Sequence, residues 1–326
     1  MDSKPLIEVD RWADSGEYGG AAVGIRWSRC VPPDATQEGP LTMTRLSTLA
    51  ASIAMLAPAV CRAEISCTRE GLNAAAELYV AAQAKGDSAG LPLARGVSYI
   101  ENFKPIDIKD GLIQKAMKID HQRSLLDPAT CQTFTEIIVT DKAKPYVLGV
   151  RLRVNHSLIA EIETLWTTTG YWLFNADDYL KYATSEDWSV VPAAQRDTRA
   201  TLVSAAGAYL DAFLEKKTDL VPWGYPCHRT EGGMHTGKGL PTDTCEEGVP
   251  AGVNITNRHF VVDETMGSVV VFCTFGPHSP NGPAGAPDTH LFRLNNGKIR
   301  YVHTLTHLLQ ADYKSRQNAP KPAERK

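Results

Sequence analysis

Apolar residues at helical spacing occur twice along the chain. The first run covers residues 72–85 and is ended by Gly86, and the second covers residues 202–216. A period of 3.6 residues predicts two amphipathic helices. Stretches rich in Val, Ile, Thr, Tyr and Phe follow each helix, and they predict strands. The predicted strands cover residues 134–140, 146–154 and 158–167 after the first helix, and 258–263, 268–275, 289–294 and 298–306 after the second.

The two helix patterns belong to an internal repeat. Tyr79 aligns with Tyr209 at an offset of 130 residues, and Glu101 then aligns with Glu231. Near the end of each half, residues 155–167 align with residues 295–307 at an offset of 140. Because the two matches come in the same order with nearly the same spacing, the chain is predicted to hold two copies of one module.

A helix followed by several antiparallel strands predicts an α+β fold, in which each copy packs its helices on a curved antiparallel sheet that wraps into a cone. We assign residues 64–170 to the first module and residues 200–312 to the second. Residues 171–199, rich in Trp and Tyr, connect the two modules. The charged, Pro-containing tail at 313–326 is predicted to be disordered.

The segment at residues 43–63 has the pattern of a secretory signal peptide. One positive charge is followed by an apolar stretch at 49–56 and by the small residue Ala63. Signal peptides begin a chain, so we expect translation to start at Met43 and residues 1–42 to be a non-native extension. The alternative is a short buried helix that follows a disordered tail.

Secretion favours disulfides among the five cysteines that follow the predicted cleavage site. Cys67 lies just before the first helix and Cys131 just before a strand, and we pair them. Cys227 and Cys245 bracket a glycine-rich loop and form the second predicted pair. Cys273, inside an apolar run, is then a buried free thiol. The alternative is a cytosolic chain with all five cysteines reduced.

Composition excludes several classes of partner. The chain has 326 residues, of which 43% are hydrophobic and 22% charged, and its net charge is −3. No basic excess is available to neutralise phosphates, so a nucleic-acid partner is not expected. No apolar run reaches the ~18–20 residues of a membrane span. N-glycosylation sequons at Asn155 and Asn254 favour secretion.

Five longer motifs resemble a family of largely uncharacterised secreted fungal proteins. They are VSYIEN at 97–102, DHQRSLLD at 120–127, RTEGG at 229–233, RHFVVDE at 258–264 and GKIRYVHT at 297–304. The resemblance covers roughly residues 67–307 and carries no settled activity. Together with the repeat, it implies tandem modules of the nuclear transport factor 2 fold, also called SnoaL-like. That fold serves ketosteroid isomerases, polyketide cyclases and dehydratases, and also modules without catalytic activity.

The interior of the second cone is the expected ligand pocket. On the last strand, Tyr301 and His303 share one face, which would line the cone if it points inward. His303 suits general acid–base catalysis, and Tyr301 could donate a hydrogen bond to a developing oxyanion. The alternative is that this face points outward into solvent.

Glu231 is the second candidate, because it precedes two glycines that let a backbone approach a ligand closely. Inside a dry cone its pKa would be raised, so that it could exchange protons with His303 while Arg229 stabilises negative charge. The alternative is an ion pair of Glu231 with Arg229 or Arg258. Further candidates for substrate binding are Tyr99, Glu101, Asn102, Arg258, Phe275 and His290.

No cofactor or metal is expected. His228, His235 and His290, with Asp288, match no compact ligand signature. The sequence therefore favours a secreted, cofactor-independent lyase, isomerase or cyclase that acts on a hydrophobic or carbonyl-bearing small molecule. A non-catalytic secreted binder of a small ligand or carbohydrate is the alternative, and the oligomeric state is left open, with a dimer possible. Convergence of Glu231 and His303 across one pocket would favour catalysis.

Overall fold

The computed structural model describes residues 64–276 and 285–312. The predicted signal peptide, the extension before it and the charged tail lie outside these described residues. The helices are α1 (Arg69–Lys85), α2 (Ala176–Ser185) and α3 (Arg199–Glu215). The strands of the first half are β1 (Leu93–Glu101), β2 (Lys104–Pro105), β3 (His121–Asp127), β4 (Gln132–Val139), β5 (Tyr146–Asn155) and β6 (Leu158–Thr168). Those of the second half are β7 (Trp223–Glu231), β8 (Met234–His235), β9 (Ile255–Asp263), β10 (Ser268–Phe275), β11 (Ala286–Asn295) and β12 (Lys298–Thr306).

The two long helices begin in the same way. The side chain of Thr68 accepts a hydrogen bond from the backbone N–H of Gly71 at the start of α1, and Thr198 accepts one from Thr201 at the start of α3. Each threonine thereby satisfies a donor that the first helical turn leaves unpaired. Gly86 ends α1 in the left-handed conformation, as its position after the apolar pattern predicts.

Each half of the chain forms one six-stranded sheet, and the two sheets have the same strand order. The first is ordered β2-β1-β6-β5-β4-β3 and the second β8-β7-β12-β11-β10-β9. The fold is therefore α+β with two tandem modules of one plan. The sheets are mixed rather than wholly antiparallel: β3 to β6 form an antiparallel meander, and β1 joins the outer side of β6 in parallel. The pair of β7 and β12 repeats that parallel arrangement.

The apolar core is divided into three parts. In each module, one face of the sheet packs against the long helix, α1 in the first and α3 in the second. The opposite faces of the two sheets pack against each other, where the ring of Phe134 meets the ring of Phe272 edge to face at 6.0 Å. The strands β4, β5, β10 and β11 are therefore covered on both sides, which explains their nearly continuous burial.

The covalent cross-links follow the sequence prediction. Cys67 is joined to Cys131 and Cys227 to Cys245, while Cys273 is a buried free cysteine. The first bridge ties the entry of α1 to the turn before β4, and the second holds the loop that follows β8 against β7. None of the described helices is long and apolar enough to cross a membrane.

Candidate functional site in the second module

The two faces of β12 have different surroundings. Val302 belongs to the core beneath α3, whereas Leu305 belongs to the core between the two sheets. Because side chains alternate along a strand, Tyr301 and His303 lie on the same face as Leu305. That face points to the first module. The expectation that Tyr301 and His303 line the second cone is therefore wrong. The alternative that this face is solvated is wrong for His303, which is buried, whereas Tyr301 is half-buried.

His303 is held between two carboxylates at the module interface. Its Nδ1 lies 2.8 Å from Glu136 of β4, and its Nε2 lies 2.7 Å from Glu186. Tyr179 donates to the same Glu136 oxygen at 2.9 Å, and Arg123 pairs with the other oxygen at 2.9 Å. The cluster contains two basic and two acidic groups, so its charges balance.

The charge state of this cluster follows from its contacts. Burial would lower the pKa of His303, but the negative charges of Glu186 and Glu136 outweigh burial and raise the pKa to about 9. Burial would raise the pKa of Glu136, yet the charges of His303 and Arg123 lower it to about 2. An imidazolium that is charged at neutral pH and only 2% exposed joins the modules and is not free to exchange protons with a substrate.

Glu231 and Arg229 lie on the other face of the sheet, inside the second cone. Glu231 accepts a hydrogen bond from Nε1 of Trp172 at 2.5 Å and pairs with Arg229 at 3.3 Å. Arg229 also donates to the hydroxyl of Tyr209 at 3.4 Å. The Glu231–Arg229 ion pair named as an alternative is thus present, whereas Arg258 is not its partner.

Glu231 and His303 do not converge. In the parallel pairing of β7 with β12, Glu231 is opposite Thr304, the residue next to His303. Neighbouring residues of a strand point to opposite faces, so the sheet itself separates the two side chains. The predicted exchange of protons between Glu231 and His303 is contradicted by this geometry.

Three further polar side chains meet in the same cone. Nδ1 of His290 lies 3.4 Å from Asp288, and Sγ of Cys273 lies 4.0 Å from Asp288 and 3.9 Å from His290. Thr306 donates to the other oxygen of Asp288 at 3.0 Å. Burial raises the pKa of Cys273 and of Asp288 well above their ordinary values, and it lowers the pKa of His290 to about 3. We call Cys273, Asp288 and His290 the buried triad.

The first module shows what this fold needs at those positions. Ile137 pairs with Leu148 as Cys273 pairs with Asp288, and Val150 pairs with Thr164 as His290 pairs with Thr304. The counterparts of the buried triad are therefore Ile137, Leu148 and Val150, all fully buried. An aliphatic interior suffices for the fold, so the polar interior of the second module is not a requirement of folding.

The candidates in the first module are engaged in structural contacts. Tyr99 donates to Glu101 at 2.6 Å, and Nε1 of Trp166 donates to the other oxygen of Glu101 at 3.2 Å, while the backbone N–H of Leu112 also bonds Glu101. Asn102 accepts from the backbone N–H of Trp166 at 3.0 Å. These side chains fix the β1–β2 hairpin and its neighbours.

Arg258 and Phe275 lie away from Glu231. Arg258 pairs with the exposed Asp211 at 2.7 Å and lines an open cavity of 360 Å³ beside α3. Phe275 packs on Phe213 of α3, with ring centroids 6.3 Å apart. Asn254, the second sequon, is exposed and lines the same cavity.

The aromatic connecting segment packs the modules together. Tyr182 stacks on His235, with ring centroids 3.8 Å apart. Trp188 packs on His303, with ring centroids 5.3 Å apart, and the guanidinium of Arg123 lies over the Trp188 ring, 4.0 Å from its centroid. His228 and His235, two members of the possible metal set, lie in this interface and not with His290.

Comparison with known proteins adds a match to one domain. A family model described as a domain of unknown function, DUF8021, matches residues 195–306, which include α3 and the whole second sheet. The comparison with curated proteins finds no match.

Three solved structures are similar to part of the chain. A proposed isomerase of the SnoaL-like family from Agrobacterium tumefaciens is 19% identical, with a TM-score of 0.27, over 33% of this chain and 97% of its own. A proposed polyketide cyclase from Xanthomonas campestris is 12% identical, with a TM-score of 0.23, over 33% of this chain and 90% of its own. An NTF-2-like protein of unknown function from Burkholderia xenovorans is 14% identical, with a TM-score of 0.26, over 38% of this chain and 97% of its own. The fold stated above rests on this chain's own strand order.

Sequence reasoning missed the buried triad as a unit. His290 lies in the predicted strand 289–294, and Asp288 lies one residue before that strand, so their shared face follows from the alternation only if the strand begins earlier, as β11 does at Ala286. The position of Cys273 beside them depends on the register between β10 and β11, which sequence spacing does not reveal.

Proposed function

We propose that the protein is a secreted enzyme of the lyase, isomerase or cyclase type, and that its working site is the interior of the second module. The observation that carries the proposal is the polar interior of that module at positions where the first module is aliphatic. Burying polar groups costs free energy unless hydrogen bonds or ion pairs compensate for the lost contacts with water. At the three positions of the buried triad only the second copy carries this cost, which favours chemistry in that copy.

Glu231 and Arg229 are the side chains assigned to proton transfer and charge stabilisation. The side chain of Glu231 is 17% exposed, whereas that of Arg229 is 4% exposed, so the polar set reaches the surface at Glu231. A carbonyl-bearing ligand that enters beside Trp172 would meet a carboxylate base first and a buried guanidinium behind it. Arg229 and the hydroxyl of Tyr209 would then stabilise an enolate-like oxyanion. His303 and Tyr301 have no part in this scheme.

The experiment compares small-molecule conversion by matched variants. Purified wild type, Glu231→Gln, Arg229→Gln and Asp211→Asn are each incubated with a culture-medium extract, and the metabolites are compared by mass spectrometry. We expect the wild type and Asp211→Asn to convert the same compound, because Asp211 lines the open cavity beside α3 and not the interior of the second module. Glu231→Gln should slow that conversion by at least ~100-fold, as loss of a general base does.

Two results would reject the assignment. One is the absence of any converted compound for a wild type that is shown by circular dichroism to be folded. The other is a conversion that survives in both Glu231→Gln and Arg229→Gln.

Binding without catalysis is favoured by a different observation. The open cavity beside α3 is accessible as it stands and combines apolar residues with Asp211, Lys217 and Arg258. A small ligand or a carbohydrate could occupy it without any rearrangement of the second core. In that case a ligand from the same extract would be retained on equilibrium dialysis by the wild type and by Glu231→Gln, but not by Asp211→Asn, and no compound would be converted.

A further inference from the structure

The three members of the buried triad present their ligand atoms to a common point. The Sγ, the carboxylate oxygen and the imidazole nitrogen lie within 4.8 Å of one another. Cys273 is opposite Asp288 in the ladder between β10 and β11, and His290 follows Asp288 by two residues on the same face. Two paired strands in the middle of a sheet therefore fix all three positions, and none of them depends on a loop.

The separations are close to those of ligands around one metal ion. Zinc binds sulfur at about 2.3 Å and imidazole or carboxylate at about 2.0 to 2.2 Å, so tetrahedral ligands lie about 3.3 to 3.6 Å apart. In the protein the nitrogen–oxygen separation is 3.4 Å, and the two separations from Sγ are 3.9 and 4.0 Å. A movement of a few tenths of an ångström brings the sulfur into range.

A cation would also supply what the surroundings of Asp288 lack. Among the described residues, no Lys or Arg forms an ion pair with Asp288, which contacts the side chains of Thr306, Cys273 and His290 and the backbone N–H of Thr289. Thiol, imidazole and carboxyl groups together are the donor set that zinc takes in proteins.

A fourth polar group beside the triad has no hydrogen-bond partner among the described residues. Thr304 is opposite His290 in the ladder between β11 and β12 and is 3% exposed. Within the described part of the chain, its hydroxyl forms no hydrogen bond. The equivalent hydroxyl in the first module, that of Thr164, lies 3.4 Å from the hydroxyl of Tyr79.

The difference between the two threonines has a structural cause. In the second module, Arg229 contacts the hydroxyl of Tyr209, which is the counterpart of Tyr79. The Thr304 hydroxyl is therefore left for another partner on the triad's side of the cone. A water molecule in the fourth position of a metal with three protein ligands would provide that partner.

We propose that Cys273, Asp288 and His290 bind a divalent zinc-class ion, with the fourth coordination position open toward Thr304. This site departs from the expectation of no metal, and it includes only two of the residues, His290 and Asp288, that the sequence had offered as a possible set. The inference stands on the triad and Thr304, and it does not depend on the proton-transfer roles of Glu231 and Arg229.

The first test measures the metal directly. The intact wild-type chain is purified under argon, without reductants that would open the disulfides, and its zinc content is measured after dialysis. We expect about one zinc per chain, as for a site with three protein ligands and an open fourth position. After removal of the zinc, addition of Co²⁺ should give a thiolate-to-cobalt charge-transfer band together with the visible absorption of tetrahedral cobalt.

The variants locate that metal. Cys273→Ser should remove the charge-transfer band, and Cys273→Ser, Asp288→Asn and His290→Gln should each weaken Co²⁺ binding by ~100-fold or more, beyond the usual effect of outer-shell changes. The triple variant Cys273→Ile/Asp288→Leu/His290→Val installs the first module's own residues, so it should fold and bind no metal. Glu231→Gln should bind Co²⁺ as the wild type does.

Two outcomes overturn the proposal. One is a folded wild type that holds no zinc and gives no cobalt–thiolate band. The other is a metal whose affinity is the same in the triple variant. If Glu231→Gln loses small-molecule conversion but still binds Co²⁺, the result supports the role of Glu231 in the proposed function and shows that the metal site does not depend on it.

Discussion

Asp127 of the first module binds strand β9 of the second module, and Asp263 of the second module binds strand β3 of the first. Asp127 accepts a hydrogen bond at 3.0 Å from the backbone N–H of Val262, and Asp263 accepts one at 2.9 Å from the backbone N–H of Leu126. Each carboxylate also pairs with an arginine at a helix start, Asp127 with Arg199 and Asp263 with Arg69. The exchange relates the two modules by an approximate two-fold axis within one chain.

We expect Asp127→Asn and Asp263→Asn each to lower the free energy of unfolding by about 2 to 3 kcal/mol. Both side chains are 1% exposed, and an amide loses the charge-assisted bond to the arginine while it leaves buried donors poorly satisfied. Urea denaturation of the purified variants measures the change. Asp211→Asn, whose side chain is 70% exposed, is the control and should change stability by less than about 0.5 kcal/mol. Equal effects at all three positions would contradict the interpretation.

His303 should make stability depend on pH in the alkaline range. Its pKa is raised to about 9 in the folded protein, against about 6.5 for a free histidine. The stabilisation is therefore complete below about pH 6.5 and is lost as the pH rises through about 9, a total of about 3 kcal/mol. Glu136, with its pKa lowered to about 2, contributes stability above about pH 4.5 that is lost only in strong acid.

The measurement is the difference in unfolding free energy between the wild type and His303→Gln at several values between pH 6 and 10. The comparison cancels the titration of groups that the substitution does not affect. We expect the difference to shrink as the pH rises. A difference that stays constant over this range would show that His303 is uncharged in the folded protein.

The metal-free triple variant Cys273→Ile/Asp288→Leu/His290→Val should be more stable than the metal-free wild type. Replacement of a buried polar cluster by apolar residues of a known packing removes a desolvation cost, for an expected gain of about 1 to 3 kcal/mol. Asp288→Leu alone should instead destabilise, because Thr306 and His290 lose their partner. Guanidinium denaturation decides, and a triple variant that is less stable than the wild type would refute the idea that function maintains the triad.

Loss of either disulfide should lower stability, and the loss should be larger for the bridge that closes the longer loop. Cys227 and Cys245 are 18 residues apart and Cys67 and Cys131 are 64 apart. Loop entropy then predicts losses of about 3 and about 4 kcal/mol for the respective paired Ala variants. Thermal unfolding of each variant tests the order. A larger loss from the shorter loop would indicate that the bridge at Cys227 acts on the folded state, through the loop that it holds over Arg229.

The helices and central strands could be predicted because their own residues determine them. The Leu72-to-Lys85 periodicity ended at Gly86, and α1 ends there too. The strand β12 covers the predicted residues 298–306 without change. Helix α2 was not predicted, because its segment is rich in Trp and Tyr and was assigned to the connection between the modules. Asn175 caps this helix by accepting a hydrogen bond from the backbone N–H of Asp178.

The site was predicted less well, for a reason specific to a duplicated fold. The alternation correctly separated His303 from Thr304, but only the packing of the two sheets decides which face is interior. In a single module the face of His303 would meet solvent. Here it meets Glu136 from the other module, a contact between residues 167 positions apart that no local pattern encodes.

The pseudo-two-fold arrangement affects which substitutions this chain can accept during evolution. A dimer of identical subunits must carry every substitution twice, so a costly polar group enters both cores at once. Fusion of the two copies ends that constraint. The core that contains Ile137, Leu148 and Val150 then stabilises the whole chain. The second core can therefore tolerate the destabilising polar residues Cys273, Asp288 and His290.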